Sequence, residues 1–331
     1  MVNIAINGFG RIGRLILRAS IDDPDIEIAA INDLTDPGTL AHLLRYDSVH
    51  GKFNGTIEAK KSSIEVNGND IPVYAKKEPN KLPWKKADVD VVMECTGRFR
   101  EKNQASLHLK AGAKKILLSA PAKGKQNVKT IVMGVNDNIY KGEKIISNAS
   151  CTTNCFAPMA KVINDDYTII DGVMTTVHGY TADQHIVDSP HKDLRRGKAA
   201  ALNIVPTTTG AAKAIGLVIP KLKGKLIGGA VRVPVADGSL CHFVAEVKKK
   251  CTTECVNESF KKISENSMKG ILEYSEEALV SSDIIGNPHS CVFDSLLTEF
   301  IGNNVVLVGW YDNEWGYSNR MIDVAKLMME K

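Results

Sequence analysis

Strand-like apolar runs alternate with segments of helical periodicity through the first half of the chain. Val2–Asn7 is a short apolar run, and the segment after it carries apolar residues at helical spacing, namely Ile12, Leu15, Ile16 and Ala19. A second apolar run, EIAAI, covers residues 27–31. Because this alternation is typical of βαβ units, the pattern predicts a parallel sheet covered by helices.

The alternation continues to about residue 147. A helical stretch lies at about 101–111, and further strand-like runs cover four segments, at 89–93, 115–119, 130–134 and 144–147. Residues 56–73 have the pattern of β-hairpins inserted into this sheet. The first half of the chain is therefore predicted to be an α/β domain of the Rossmann type.

A glycine-rich turn joins the first predicted strand to the first helix. It reads Gly8-Phe9-Gly10-Arg11-Ile12-Gly13. Gly8 permits a tight turn, Gly10 lets the backbone approach a pyrophosphate, and Gly13 allows the helix to pack closely on the strand. The N-terminus of the helix then attracts the phosphates. Because strand, turn and helix follow in the required order, the motif predicts a dinucleotide site.

Asp33 indicates which dinucleotide this site binds. It ends the second strand–turn segment and lies 20 residues beyond Gly13. A carboxylate in this place accepts hydrogen bonds from ribose hydroxyls and repels a 2′-phosphate. Leu34 brings no positive charge that could offset the repulsion. The predicted cofactor is therefore NAD rather than NADP.

Composition narrows the class of protein further. The chain has 331 residues, of which 44% are hydrophobic and 24% charged, with a formal net charge of +4. This length favours two domains of about 100–200 residues, and the charge balance argues against a disordered chain or a dedicated nucleic-acid binder. No apolar stretch approaches the roughly 20 residues that span a bilayer. The first residues lack the pattern of a signal peptide, so no membrane association and a cytoplasmic location are expected.

The cysteines argue against both disulfides and metal. Seven cysteines are scattered along the chain, an odd number that favours a reducing compartment. Cys151 and Cys155 form one Cys-x₃-Cys pair and Cys251 and Cys255 another, but neither has a second pair or a histidine cluster at zinc-site spacing. No metal site is predicted. Cys155 is interpreted as a packing residue. CTTEC at 251–255 resembles CTTNC at 151–155, and this likeness is interpreted as a coincidence, because both segments are predicted to begin a helix.

Cys151 is the candidate nucleophile. The run KIIS at 144–147 leads through Asn148-Ala149-Ser150 into CTTNC and then into a helical segment. Cys151 should therefore lie near a helix N-terminus, where the helix dipole stabilises a thiolate and a nearby imidazolium would lower the thiol pKa further. The candidate base is His178, which follows the strand-like run GVMTTV. Either residue alone is more often structural, and the spacing leaves open whether the two side chains meet.

Several motifs together resemble one enzyme family, the phosphorylating glyceraldehyde-3-phosphate dehydrogenases of glycolysis, in their NAD-dependent bacterial form. ASCTTNC at 149–155 is the most specific, and the others are NGFGRIGR at 7–14, HGYTADQ at 178–184, HKDLRR at 191–196, PTTTGAAKA at 206–214, VRVP at 231–234 and WYDNEWGYS at 310–318. The resemblance covers essentially the whole chain. It implies an NAD-binding Rossmann domain at 1–150, completed by a C-terminal helix at 317–331, and an α+β catalytic domain with a mostly antiparallel sheet at 151–316.

The resemblance also implies a role for individual residues. Cys151 would be the nucleophile and His178 its base. One anion site would contain Thr181, Arg196 and Arg232, and a second Ser150, Thr209 and Gly210, with Thr152 close to the reacting group. The implied cofactor residues are Gly8, Gly10, Arg11, Ile12, Gly13, Asp33, Lys77, Ser119 and Asn313, the last of these holding the nicotinamide carboxamide.

The implied substrates are glyceraldehyde 3-phosphate and inorganic phosphate, and the implied assembly is a homotetramer with an inter-subunit loop at about 180–203. Erythrose-4-phosphate dehydrogenases share the fold and the cysteine chemistry and remain the nearest alternative. Semialdehyde dehydrogenases acting on aspartate would not explain the motifs at 178–184, 206–214 and 310–318 together. The basic clusters at 192–198 and 248–250 permit a nucleic-acid-binding or surface-adhesin role, expected to be secondary.

Overall fold

The computed structural model describes residues 1–330, and Lys331 lies outside the described residues. Within residues 1–330, the backbone contacts divide the chain into two compact units. The first unit comprises 1–131, 138–149 and 318–330, and the second comprises 132–137 and 150–317. Residues 132–137 thus belong to the second unit, although they precede Cys151 in the chain.

The first unit alternates strands with helices. Its helices are α1 Arg11–Ser20, α2 Pro37–Arg45 and α3 Lys102–Lys110. Its strands are β1 Val2–Asn7, β2 Ile26–Asn32, β3 Tyr46–Asp47, β4 Gly51–Lys52, β5 Ile57–Ala59, β6 Ser63–Val66, β7 Asn69–Tyr74, β8 Val91–Glu94, β9 Lys115–Leu118, β10 Lys129–Thr130 and β11 Ile145–Ser147.

The main sheet of this unit runs in the order β10-β11-β9-β8-β1-β2-β7-β6-β5. Its strands pair in parallel from β10 to β7, and β5, β6 and β7 pair antiparallel, which confirms the hairpins predicted at 56–73. The central strands are almost fully buried, as expected when helices cover both faces of a parallel sheet. The carboxyl ends of β8, β1, β2 and β7 therefore lie side by side along one edge.

The second unit holds the remaining strands and three helices. The helices are α4 Cys151–Tyr167, α5 Ala211–Val218 and α6 Thr253–Glu265. The strands are β12 Ile169–Gly179, β13 Val205–Thr208, β14 Leu226–Val233, β15 Ser239–Val247, β16 Leu272–Ser275, β17 Cys291–Asp294, β18 Glu299–Ile301 and β19 Asn304–Tyr311. In the two units together, short 3₁₀ turns lie at Pro79–Lys81, Asp137–Ile139, Ala200–Leu202, Pro220–Leu222, Ser281–Ile284 and Ser295–Leu297, the first of these in the first unit.

The sheet of the second unit runs β13-β14-β12-β15-β19-β17-β16, with β18 beside β19. Most of its pairs are antiparallel, while β12 pairs in parallel with β14 and β16 with β17. Helix α4 packs on this sheet, where Phe156 meets Phe243 edge to face at 4.8 Å. The two sheets confirm the predicted fold class, a Rossmann domain and an α+β domain with a mostly antiparallel sheet.

Two element boundaries differ from the sequence prediction. The strand predicted at 130–134 ends at Thr130, because the chain turns there: the Val132 N–H donates to the Asn136 Oδ1 at 2.8 Å, and Gly134 has φ +75°. The helix predicted at 317–331 begins two residues earlier, as α7 Trp315–Glu330. Asp312 explains the earlier start, since its carboxylate accepts the Glu314 and Trp315 N–H groups.

Within residues 1–330, no helix combines the length and the apolar character that a membrane crossing requires.

Candidate active site and cofactor cleft

Cys151 is the first residue of α4, as the sequence predicts. The preceding residue, Ser150, caps the helix through its Oγ, which accepts the Thr153 N–H at 3.2 Å. Ala149 has φ 55°, a left-handed conformation that is uncommon for a residue with a Cβ. The strained turn therefore delivers the thiol to the first turn of the helix, and such strain is often found at functional sites.

The structure brings Cys151 and His178 together. The Cys151 Sγ lies 3.5 Å from the His178 Nε2. His178 is the penultimate residue of β12 and is buried, whereas Cys151 is partly exposed. A nucleophile and a base within hydrogen-bonding reach form the minimal arrangement for covalent catalysis by a cysteine.

Arg232 completes the surroundings of the imidazole. It is opposite His178 in the parallel β12–β14 pair, and its Nη1 donates to the Gly179 carbonyl at 2.8 Å. The His178 Nδ1 lies 2.7 Å from the same carbonyl and 3.0 Å from this Nη1. A nitrogen this close to a carbonyl oxygen carries the proton, since two lone pairs would repel each other. The Nε2 that faces Cys151 is therefore unprotonated and can act as a base.

Burial dominates the protonation of this pair. It raises the pKa of the Cys151 thiol to about 11, although the Arg232 charge and the Thr152 N–H act in the opposite direction. Burial also lowers the pKa of His178 to about 3, and the Arg232 charge lowers it further. The expected imidazolium is therefore absent, and the lowering of the thiol pKa by the N–H groups at the helix start is outweighed by burial, so the prediction of a lowered thiol pKa is wrong. His178 is a neutral base, and the proton of the pair rests on sulfur.

Tyr311 was missed by the sequence reasoning, although it belongs to the motif at 310–318. Its hydroxyl lies 2.9 Å from the Thr152 Oγ1 and 2.8 Å from the Thr176 Oγ1, and its ring meets the His178 ring edge to face at 5.8 Å. It therefore ties the start of α4 to β12 and holds the two reacting side chains in place. The signal that could have revealed it was its position at the end of a strand, beside Asp312 and Asn313.

The residues of the first predicted anion site lie near the imidazole. The Arg232 Nη1 is 3.4 Å from the Thr181 Oγ1. Arg196 is close enough for its charge to lower the pKa of His178, after burial and Arg232. Its guanidinium bonds to the Asp183 carboxylate, to the Thr207 Oγ1 at 2.9 Å and to the Thr208 carbonyl at 3.1 Å. Arg196 is therefore held in place by its loop before any anion arrives.

The residues of the second predicted anion site lie at two helix starts. Ser150 caps α4, and Gly210 precedes α5 without a side-chain cap. The Thr209 Oγ1 accepts the Ala211 N–H at 3.2 Å. Helices α4 and α5 pack against each other. Thr152, in contrast, uses its hydroxyl for Tyr311.

A cleft of about 350 Å³ lies in the first unit, at the carboxyl edge of the parallel sheet. Its walls are Asn7, Gly8, Gly10, Asn32, Asp33, Leu34, Lys76, Lys77, Cys95, Thr96, Arg98 and Phe99. Gly8 has φ +94°, and a Cβ there would come within 2.8 Å of the Thr96 nitrogen. A Cβ on Gly13 would meet the Gly8 carbonyl oxygen at 2.3 Å, so both positions require glycine.

Asp33 is held rigidly at the rim of this cleft. One carboxylate oxygen accepts the Phe9 N–H at 2.8 Å and the other accepts the Thr35 N–H at 3.0 Å. Helix α1 begins beside the cleft after Gly10, and no side chain caps its N-terminus. Its first N–H groups can therefore bind an anionic ligand.

Of the other predicted cofactor residues, only Lys77 is part of the cleft wall. Lys77 lines the cleft, whereas Arg11 pairs with the Asp47 carboxylate at 2.5 Å and Ile12 lies within α1. The Ser119 Oγ donates to the Glu94 carbonyl at 2.9 Å. Asn313 belongs to the second unit, where its Oδ1 accepts the Ser239 Oγ–H at 2.5 Å.

The cleft also contains residues that the sequence reasoning missed. Thr96, Arg98 and Phe99 follow the end of β8, and Asn7 and Asn32 are the last residues of β1 and β2. The usable signal was the position of each at the carboxyl end of a parallel strand, where ligands bind in open α/β sheets.

Brief treatment with iodoacetamide at neutral pH is expected to alkylate Cys151 before Cys155. Cys151 is partly exposed and has a neutral base at 3.5 Å, whereas Cys155 is fully buried and burial raises the pKa of its thiol well above the usual value. Mass mapping of the labelled peptides gives the order of reaction. The Cys151→Ser variant is the control, and earlier labelling of any other thiol in the wild-type protein would contradict the assignment.

The Asp237→Asn substitution is expected to make folding less sensitive to pH. Burial, and then Asp312, raise the pKa of Asp237 to about 9. The pKa of an aspartate in the unfolded chain is about 4. Between that pKa and the pKa of the folded state, the unfolded chain has lost a proton that the folded chain keeps. The free energy of unfolding therefore falls by up to about 1.4 kcal/mol per pH unit as the pH rises.

Asparagine keeps the Oδ1 that accepts the Gly238 and Asn313 N–H groups, but it does not titrate. Thermal unfolding of both proteins from about pH 5 to about pH 8 measures the effect. The melting temperature of the variant should fall less over this range, and parallel curves for the two proteins would refute the prediction.

Comparisons with known proteins cover both units. A family model described as "Glyceraldehyde 3-phosphate dehydrogenase, NAD binding domain" matches residues 2–102, and one described as "Glyceraldehyde 3-phosphate dehydrogenase, C-terminal domain" matches residues 150–313. The chain is 54% identical over 333 residues to the glyceraldehyde-3-phosphate dehydrogenase of Geobacillus stearothermophilus, covering 100% of this chain and 99% of that protein. It is 53% identical to glyceraldehyde-3-phosphate dehydrogenase 1 of Bacillus subtilis, with the same coverage. It is also 53% identical to the enzyme of Streptomyces coelicolor, covering 98% of this chain and 97% of that protein.

Proposed function

Since the chain belongs to the glyceraldehyde-3-phosphate dehydrogenase family, we propose that it oxidises and phosphorylates D-glyceraldehyde 3-phosphate to 1,3-bisphosphoglycerate, with NAD and inorganic phosphate, through a thioester on Cys151. This is the reaction of glycolysis and gluconeogenesis. The observation that carries the proposal is the 3.5 Å approach of the Cys151 Sγ to the unprotonated Nε2 of His178.

The residues of the cleft fit NAD. Gly8 and Gly10 line the cleft without a side chain, Gly13 lets α1 pack against the Gly8 carbonyl, and the start of α1, which no side chain caps, provides N–H donors for a pyrophosphate. Asp33 has its orientation fixed by two backbone N–H groups and retains lone pairs for ribose hydroxyls. When bound, NAD supplies a hydride acceptor. Lys77, Arg11, Ile12, Ser119 and Asn313 are proposed to complete its binding site.

His178 moves the protons of the reaction. Its Nε2 takes the Cys151 proton as the sulfur bonds to the aldehyde carbon, and the same proton then passes to the carbonyl oxygen to form the hydroxyl of a thiohemiacetal. As a hydride leaves the substrate carbon, Nε2 accepts the hydroxyl proton and a thioester remains on Cys151. Phosphate attack on the thioester carbonyl breaks the C–S bond and releases the acyl phosphate, with the proton of the phosphate lost to solvent, and the expelled thiolate takes back the proton held on Nε2. The Gly179 carbonyl holds Nδ1–H throughout, so Nε2 always faces the sulfur.

Two groups of residues are proposed to bind the two phosphates. Arg232, Thr181 and Arg196 offer charge-assisted hydrogen bonds to one of them. Ser150, Thr209 and Gly210 offer hydroxyl and backbone N–H donors at helix starts for the other, with Thr152 close to the reacting carbon.

A homotetramer is the proposed assembly, and a cytoplasmic location is proposed with it. The segment at about 180–203 and the residue that follows it expose large apolar side chains, namely Ile186, Val187, Leu194, Leu202 and Ile204. An exposed apolar surface of this kind marks a protein interface. Light scattering after size-exclusion chromatography tests the assembly: Ile186→Glu should yield smaller species, whereas Lys221→Glu, at an exposed position outside this segment, should not. A monomeric wild-type protein would refute the tetramer.

The proposed reaction is tested by following NADH absorbance with glyceraldehyde 3-phosphate and NAD, with and without inorganic phosphate. Steady NADH formation that requires phosphate is the expected result. Parallel reactions contain NADP in place of NAD, or erythrose 4-phosphate in place of the triose. A preference for erythrose 4-phosphate would favour the sister enzyme, and no reduction with any pair would overturn the proposal.

A further inference from the structure

A buried row of polar side chains crosses the sheet directly beneath the cofactor cleft. Asn7, Asn32 and Glu94 are the last residues of β1, β2 and β8, and they lie in register: Asn7 is opposite Asn32 on one side and opposite Glu94 on the other. All three are at most 5% exposed. Burying a carboxylate without partners is costly, so its partners should have a definite arrangement.

The backbone of Lys76 fixes which atom of each asparagine donates and which accepts in this row. A backbone N–H can only donate, and that of Lys76 donates to the Asn32 Oδ1 at 2.9 Å. The Asn32 Nδ2 therefore points the other way and donates to the Asn7 Oδ1 at 2.7 Å and to the Lys76 carbonyl at 3.0 Å. The Asn7 Nδ2 must then donate to the Glu94 Oε2, at 2.5 Å.

On the other side of Glu94, the hydrogen bonds of Trp84 and His108 also run toward the Glu94 carboxylate. The indole N–H of Trp84 can only donate, and it donates to the His108 Nδ1 at 2.9 Å. The His108 proton is therefore on Nε2, which donates to the Glu94 Oε2 at 3.1 Å. The N–H of Thr96 and its Oγ–H both donate to the Glu94 Oε1. Four donors thus converge on one carboxylate and use all of its acceptor positions.

We propose that Glu94 and His108 form a buried positioning pair for the adenosine half of the cofactor. Four members of this network, Asn7, Asn32, Lys76 and Thr96, form part of the cleft wall. Phe99, also in the wall, meets the His108 ring edge to face at 6.3 Å. Glu94 and His108 themselves do not line the cleft, so they act on the ligand through these neighbours. The inference rests on the proposed use of this cleft for NAD.

Three substitutions separate hydrogen-bond polarity from packing. Glu94→Gln keeps the shape but places an amide N–H₂ against converging donors. His108→Leu removes both the acceptor for Trp84 and the donor to Glu94. His108→Gln can still accept from Trp84 and donate to Glu94, so it serves as the conservative rescue. Tyr140→Phe is the matched control, because it removes a buried hydroxyl that bonds to the Met328 carbonyl elsewhere in the same unit.

Titration calorimetry with NAD and with AMP measures the effect on the full-length protein. Glu94→Gln and His108→Leu should each raise the dissociation constants of both ligands about tenfold, in proportion to a lost hydrogen bond to a charged group. His108→Gln and Tyr140→Phe should remain within about threefold of wild type. The turnover number at saturating NAD and the rate of Cys151 alkylation should change less than about twofold, because the network does not reach the reacting groups.

Thermal unfolding identifies variants that are merely unstable. If Glu94→Gln melts earlier but binds AMP and NAD like the wild type, the pair is only structural and the inference is overturned. Equal weakening in His108→Leu and His108→Gln would also overturn it, since polarity would then be irrelevant. If wild-type protein binds neither ligand, it is the proposed function that fails.

Discussion

Cys151→Ser is expected to abolish NADH formation, with a loss of turnover on the order of 10⁴-fold or more. A serine hydroxyl is far less acidic than a thiol and a weaker nucleophile, so His178, a weak base because burial lowers its pKa to about 3, removes its proton much less readily than that of the thiol. Neither the thiohemiacetal nor the thioester can then form. Steady-state NADH absorbance, with glyceraldehyde 3-phosphate, NAD and phosphate, measures the loss.

The matched control is Cys255→Ser, which removes an exposed thiol at the start of α6 and should leave turnover unchanged. NAD binding by Cys151→Ser, measured by calorimetry, should equal that of the wild type and shows that the cleft is intact. Turnover of Cys151→Ser within tenfold of wild type would mean that the sulfur is not the nucleophile. If Cys151→Ser loses turnover but keeps a nucleic-acid-binding or surface-adhesin role, that role is a second function that does not depend on the enzyme activity.

His178→Asn is expected to lower turnover about 10²- to 10⁴-fold, the range typical for removal of a general base. Burial and the Arg232 charge keep the imidazole neutral, so the wild-type base remains available well below pH ~6.5, the ordinary pKa of histidine. The wild-type rate should therefore show no acid limb near that value. In the variant, no side chain takes the proton that Nε2 accepts in the wild type, so the rate should rise with hydroxide concentration.

A pH series of turnover for both proteins tests this prediction. The matched control is His242→Asn, which changes an exposed histidine on β15. If His178→Asn retains turnover within threefold of wild type, another group is the base. A wild-type acid limb near pH ~6.5 would show that the imidazole is protonated in the working enzyme, contrary to the direction that burial imposes.

Much of the first unit could be predicted because its determinants are local. The spacing of apolar residues predicts β1, α1 and β2, and the glycines of the turn report the φ angle and close approach that only glycine allows. The turn at 132–136 was missed because it is held by local hydrogen bonds, among them the one from the Val132 N–H to the Asn136 side chain, and not by a periodic pattern. The early start of α7 was missed for a similar reason, since it depends on the Asp312 carboxylate.

The candidate site shows the same division. That Cys151 begins a helix is readable from SCTTN, where Ser150 caps the chain that follows. That its sulfur meets His178, 27 positions later, is not readable from spacing and was expected only through the resemblance. Arg232 reaches the imidazole because β12 and β14 pair in parallel at a particular register, which the chain between them does not encode locally.

The sequence alone determined the order of strands and helices and the glycine turn. It also determined the acidic residue at the ribose position and the cysteine at a helix start. The strands, helices, glycine turn and helix-start cysteine depend on residues within about one turn or one strand of each other, and the acidic residue is identified by its position after the second strand, so local patterns suffice. Tertiary structure decided the Cys151–His178 contact, the convergence of four donors on Glu94, and the direction of the pKa shifts. These depend on desolvation and on groups distant in the chain, and burial reversed the expected shift of the Cys151 pKa because it outweighs the nearby positive charge.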